Sequence, residues 1–284
     1  MGSKDSSGGS FINSVSLSWC ALGLLPALTI IVVLVAYPLA VAVLTSLQGE
    51  RGISLSRYVA FFMNPKSYSI LVQTLIISGL ATLGSILLSL ALAFVVRRSD
   101  RSRTFLRVLT ATPLAVPVLI SAYALTLFFS EHGLFNYLVV RILRLASQPL
   151  NISYTWPGLV LACVWRFFPF TALVVIGALE ALEPEVEEAA YSTGARPYQV
   201  LFRVTLPLLT PAIVTGSILT FIGAFGTFSI PLIMGRGQDV LSVVAYRYAM
   251  TFFDWGSAAT VVVIMAIVQL GLLAVSTRIL RRGI

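Results

Sequence analysis

Six apolar stretches, each long enough to cross a hydrocarbon layer, divide this chain: about 17–47, 69–96, 105–130, 157–179, 212–234 and 257–279. A helix rises 1.5 Å per residue, so about 20 residues cross the ~30 Å interior of a bilayer. Backbone facing lipid must satisfy its own hydrogen bonds, which helices do within one segment. The expectation is an all-α membrane protein with six transmembrane helices. Composition agrees, since 58% of the 284 residues are hydrophobic and 11% are charged, whereas a soluble domain carries about a quarter charged. So few charges cannot clothe a soluble core of this size. The first run is too long for a cleaved signal peptide, has Lys4 alone as a basic residue ahead of it, and is interrupted by Pro26 and Pro38. It reads as a retained, kinked or tilted helix. Residues 1–16, Gly/Ser-rich over Met1–Ser10, are expected to be a disordered cytoplasmic terminus. Residues 17–284 form one six-span membrane domain.

The formal net charge of +8 is distributed by topology. Arg97, Arg98, Arg101, Arg103 and Arg107 crowd the loop after the second run, and Arg278, Arg281 and Arg282 follow the last. Basic residues beside span ends mark the cytoplasmic side, so both termini are expected there. Arg51, Arg57, Lys66, Arg141 and Arg144 fall on the other side and weaken the bias without reversing it. No aromatic-basic interleaving on a soluble face points to nucleic acid; the surrounding partner is membrane lipid. Over 134–146, Leu134, Phe135, Leu138, Val139, Ile142 and Leu143 share a helical stripe, with Arg141 and Arg144 elsewhere. That pattern fits an interfacial helix or a continuation of the third span. Cys20 and Cys163 lie inside apolar runs and His132 is the one histidine, so neither a disulfide framework, a metal site nor a cofactor is expected.

The charge inventory changes between the fourth and fifth runs, in the loop 180–211. Glu180, Glu183, Glu185, Glu187 and Glu188 must sit in water. Pro184 with carboxylates behind it is a good helix start, because proline loses nothing at a first position and acids oppose the macrodipole. Val186, Ala189, Ala190 and Thr193 fall at helical spacing as a small-residue face, and Gly194 offers a left-handed stop. Pro197 then opens a second short helix with Tyr198, Leu201 and Phe202 on one side. A loop this short cannot bury such a knob. Either it folds back on neighbouring membrane ends or another chain covers it.

Glu188-Ala189-Ala190, Gly194 three residues on, and Val204-Thr205-Leu206-Pro207 after nine more closely resemble the EAA signature of permeases of binding-protein-dependent ABC importers. Val204 stands where that family usually has isoleucine. The resemblance extends to the six spans, to Pro113 and Pro117, to Trp165-Arg166 with Phe168-Pro169-Phe170, and to Gly223-Ala224-Phe225-Gly226. The nearest subgroup is similar to permeases for polyamines, ferric iron, phosphonate and similar small solutes. The resemblance implies a type I permease fold in a bacterial inner membrane, with 180–211 forming coupling helices that dock in a cleft of a separate cytoplasmic ATPase. Glu188 would then be a charged contact, Ala189 and Ala190 the close-packing face, Gly194 the turn, and Leu206-Pro207 the re-entry to the membrane. Tyr198, Leu201 and Phe202 would meet the ATPase. The implied partners are two ATPase subunits, a second permease subunit, identical or homologous, and a periplasmic solute-binding protein.

ATP hydrolysis by this chain is not expected, because the phosphate-cradling loop needs a Gly-Lys pair and Lys4 and Lys66 lack that context. The chain reads as a transport subunit and not an enzyme. Arg166 lies in the fourth run with no carboxylate in any run to pair with it. It either faces the pathway or braces helices through freed carbonyls. Gly223 and Gly226 provide close packing or room for a solute, and Phe225 and Phe228 form a gate or simply pack. An ion-coupled secondary transporter is the alternative class, yet it would place carboxylates inside the spans. A membrane-embedded enzyme would place paired acids, a metal cluster or a Ser/His pair there.

Overall fold

The computed structural model describes residues 24, 26, 28–49, 52–98 and 103–282. The expected disordered start over 1–16, Cys20 and Arg101 lie outside them. Five helices are long and apolar enough to span a membrane: Leu28–Leu47, Pro65–Arg97, Trp156–Ala181, Pro197–Gly226 and Trp255–Arg278. A bent pair, Arg103–Ala115 with Val118–Phe128, passes the same test of length and apolarity when its two helices are taken together, giving six in all. Apart from a two-stranded hairpin pairing Gln48 with Ile53 and Gly49 with Gly52, the described residues form no sheet.

We label the helices α1 (Tyr37–Leu47), α2 (Ser56–Met63), α3 (Pro65–Arg98), α4 (Arg103–Ala115), α5 (Val118–Phe128), α6 (Leu134–Asn136) and α7 (Trp156–Ala181). The remainder are α8 (Pro184–Ser192), α9 (Pro197–Val200), α10 (Leu206–Gly226), α11 (Ser229–Met234), α12 (Leu241–Tyr246) and α13 (Trp255–Arg282). Two wider π-helical turns, Val32–Ala36 and Leu201–Thr205, each end two residues before a proline, Pro38 and Pro207. A proline ring collides with the carbonyl four residues back, and local widening relieves that collision.

Three boundaries differ from the sequence expectation. The third run is not one helix: Pro117 takes an extended ψ of 137° and α4 and α5 diverge by 102°. The fifth span begins well before 212 and ends at Gly226, and the residues up to Met234 form the separate α11, because Thr227 is extended. The second short helix after Pro197 is not separate either, since α9, the π turn and α10 run as one 30-residue helix. Segment 134–146 is no continuation of the third span; it contains α6 and the π-helical Tyr137–Ile142, beyond a turn at 130–133.

α7 is the hub. More than half of its most apolar stretch is buried, against none of Leu28–Leu47, so α7 is wrapped by its own chain, whereas the first helix packs on α13 at the edge of the bundle. α3 and α10 pack on it along their length. A Cβ on Gly216 would lie 2.7 Å from the Thr171 Cα, so only glycine lets α10 approach this closely. At the same level the Thr171 and Thr220 hydroxyls are 2.8 Å apart and Thr220 also donates to the Phe167 carbonyl at 3.1 Å. These bonds keep polar atoms satisfied where no water reaches. At the far end, Asp254 caps α13 by accepting from the Ser257 N–H at 3.0 Å. Ser257's side-chain and backbone hydrogen bonds hold that carboxyl below its usual range, with Arg57's charge adding to them and partial burial opposing.

Candidate functional site

The loop 180–205 lies against the arginine-rich ends of α3 and α4. Glu180, last turn of α7, accepts from Arg103 Nε at 2.5 Å and from Arg107 Nη2. Glu187, in α8, accepts on one oxygen from Arg97 Nη1 at 3.0 Å and from the Thr205 hydroxyl at 2.6 Å. Each such half-exposed pair contributes little alone, of order 0–1 kcal/mol. Shared acceptors, however, fix α8 to α3 and to the base of α10, and fix α7 to α4.

On that platform α8 begins at Pro184 with Glu185 and Glu187 in its first turn, as the macrodipole favours. It ends in a Schellman arrangement: Gly194 N–H donates to Tyr191 O at 2.9 Å and Ala195 N–H to Ala190 O at 3.3 Å. Gly194 has φ +84°, the left-handed conformation expected of it. No heavy atom lies within 4 Å of a Cβ placed there, so the constraint is backbone conformation and not space. Gln199's side chain then accepts from the Arg196 N–H at 2.8 Å and starts the long helix. Val200 and Thr205 turn inward, 2% exposed, while Tyr198 and Phe202 stand out at 55% and 65%. Leu201 is half-buried and sits between those two faces. Glu188 and Ala189 are exposed, Ala190 half-buried. Leu206 and Pro207 lie inside the unbroken helix.

The intramembrane candidates separate. Arg166 donates from Nη1 to the Pro113 carbonyl at 3.0 Å. Pro113 is four residues before Pro117, whose missing N–H frees that carbonyl. The guanidinium carbon lies 5.7 Å from the Phe167 ring centre, and Nε is buried with no partner among the described residues. A Cβ on Gly223 would lie 2.8 Å from the Phe167 ring, and one on Gly226 3.1 Å from Gln269 Nε2, so both glycines sit in tight packing. Phe225 is 1% exposed and stacks on Phe221 at 5.6 Å, within an apolar cluster that includes Phe61, Leu71 and Leu241. Phe228, past the end of α10, is half-buried, contacts the Tyr246 ring at 4.9 Å and borders a cavity of about 430 Å³ with Gln269 and Ser242. Helix termination at Gly226 and extended Thr227 send the two rings to different places.

Sequence reasoning missed the residues that fix the platform: Glu180, Glu187, Thr205, Arg97, Arg103 and Arg107. The signal was present, in two opposite-sign clusters on loops assigned to one side, yet the arginines carried only topological meaning.

Residues 85–283 match the family model described as the binding-protein-dependent transport system inner membrane component. The chain belongs to that family. The inner membrane ABC transporter permease protein YcjO of Escherichia coli (strain K12) is 30% identical over 221 residues, covering 76% of this chain and 75% of that protein. The spermidine/putrescine transport system permease protein PotB of Haemophilus influenzae is 29% identical over 190 residues, 66% of each chain. The ferric transport system permease protein FbpB of Actinobacillus pleuropneumoniae is 27% identical over 190 residues, and the chain spans only 27% of that longer relative. Among solved structures, a bacterial ABC transporter involved in import of the acidic polysaccharide alginate aligns with TM-score 0.75 at 19% identity, over 96% of this chain and 98% of that one. The MetNI methionine ABC transporter aligns at TM-score 0.59 and 18% identity, over 78% of this chain and 100% of that one. The fold is that of type I ABC importer permeases. As a family member, this chain is a multi-pass inner-membrane permease subunit of an ABC transport system.

Proposed function

We propose that this permease couples solute import to a separate ATPase through the loop 180–211. The observation that carries the reading is the pair Tyr198 and Phe202, 55% and 65% exposed on a base held by the Glu187 and Glu180 ion pairs. An apolar aromatic pair on a charged, rigid, water-side platform fits a docking knob for a partner cleft. Glu188 adds an exposed charge beside it, Ala189 and Ala190 leave room for close approach, and Gly194 sets the angle between α8 and the long helix. Leu206 and Pro207 carry the force inward within that helix. Two ATPase copies, a second permease subunit and a delivering solute-binding protein complete the assembly, and both termini share the ATPase side. The solute is a small one, a polyamine, ferric iron, phosphonate or similar, the first two being named for relatives of this chain. Arg166 braces the broken third span, as its bond to the freed Pro113 carbonyl supports.

Gly194→Val tests the coupling role. A β-branched residue is strongly disfavoured at φ +84°, so the knob is misdirected while the spans still insert. Uptake into vesicles should fail at normal membrane levels, with co-purification of the ATPase weakened. Glu188→Ala should act more mildly and with salt dependence. Full uptake by Gly194→Val at normal expression would remove the coupling assignment.

A further inference from the structure

The segment joining α5 to α7 carries features that transport coupling leaves unused. Arg141 and Arg144 are both exposed, and neither forms an ion pair among the described residues. They follow the bent third span, whereas the arginine-rich loop precedes it. Next to them Leu134, Leu138 and Ile142 are 58%, 37% and 58% exposed at successive four-residue steps. The opposite face is pinned. Phe135 lies 5.4 Å from the Phe129 ring centre, and the Asn136 side chain donates to Ser130 O and Leu150 O and accepts from Leu150 N–H. The segment is thereby held level with the end of α5 and the start of α7, where Trp156 stands. Tyr137, Arg141 and Arg144, together with His132 and Glu131, line a cavity of about 930 Å³ whose apolar wall includes Val140 and Leu145.

We infer that this segment holds an anionic phospholipid, its phosphate between Arg141 and Arg144 and an acyl chain along Leu134, Leu138 and Ile142. Guanidinium forks match phosphate oxygens, and a basic row flanking an apolar stripe at span-end depth is the pattern of a lipid-facing interfacial helix. Glu131 is the one carboxylate lining the cavity, set against two guanidiniums. A zwitterionic head would bring its own cation towards them, whereas an anionic head does not. An acidic protein surface would match the arginines but leave the neighbouring stripe without a long apolar occupant.

The full chain, purified in detergent and stripped of lipid, is titrated with phosphatidylglycerol, phosphatidylcholine or glycerol 3-phosphate, and bound molecules are counted by native mass spectrometry. Phosphatidylglycerol should be retained in preference to phosphatidylcholine, and glycerol 3-phosphate should not be retained. Arg141→Gln with Arg144→Gln should weaken phosphatidylglycerol binding roughly 20-fold, and lysine at both positions should recover much of it. Arg144 has φ 51°, so Arg141→Gln alone, expected to weaken binding about fivefold, covers any folding defect of the pair. Unchanged lipid binding in these variants, or no preference over phosphatidylcholine, overturns the assignment. Equal retention of glycerol 3-phosphate overturns it in favour of a free phosphate. In the assembled importer, intact lipid binding by the double variant with lost stimulation by the binding protein overturns it in favour of a protein-docking face.

Discussion

Pro113 and Pro117 in the third apolar run, and Pro207 and Pro211 in the helix of the fifth span, share one four-residue spacing. The outcomes are opposite. The third run breaks by 102°, and the fifth continues as a 30-residue helix. In the third, the carbonyl freed by Pro117 is taken by Arg166 from α7, and the chain beyond leaves to pack α5 against α11. In the fifth, the π turn Leu201–Thr205 absorbs Pro207, Thr205 is tied to Glu187, and Gly216 lies flat on Thr171. A proline pair makes a helix breakable; the neighbours available to its freed carbonyls decide whether it breaks.

The largest effect should come from removing the neighbour that holds the break. Arg166→Met leaves the Pro113 carbonyl without its donor and should destabilise the protein by about 2–3 kcal/mol, read as a lowered melting temperature in detergent. Arg166→Lys should restore part of it. Melting like wild type would mean that the break needs no clasp. Next is the contact that keeps the fifth span straight. Gly216→Val drives a branched side chain into the Thr171 backbone and should cost about 1–3 kcal/mol, with cross-linking between α7 and α10 reduced. If the variant is neutral, close approach does not hold α10. The smallest effect concerns a helix end that water reaches. Asp254's carboxyl is depressed in the folded chain, so the unfolded chain binds more protons as pH falls and stability declines. This contribution is full above the ordinary carboxylate pKa of about 3.9 and is lost as pH falls through the lower folded value. Thermal melts at stepped acidic pH should show the decline in wild type and a flatter profile in Asp254→Asn.

These differences mark what could be read from the residues alone. Apolar run length located the first, second, fourth and sixth spans to within a few residues at most ends, because crossing lipid is a one-dimensional requirement. The Gly194 turn was legible for the same reason: Pro184, the acids and the glycine act locally. What escaped depended on long-range partners. Nothing near Pro117 shows that Arg166, some fifty positions later, reaches its freed carbonyl. Likewise Glu187 and Glu188 are adjacent and chemically alike, yet helical phase turns Glu187 toward Arg97 and Thr205 and leaves Glu188 facing out. The residue that the signature emphasises is the free one, and the one that fixes the platform is its neighbour.

The unbroken run from Pro197 to Gly226 also sets a mechanical ratio. Thirty residues at 1.5 Å each make a rod of about 45 Å, with Tyr198 at one tip and Phe225, locked among Phe61, Leu71 and Leu241, at the other. If the rod pivots about one tip, a tilt of about 10° moves the other by about 8 Å, more than a helix radius. Because the helix runs on through the π turn and both prolines, a few degrees at the water-side tip would arrive as ångströms deep in the bundle.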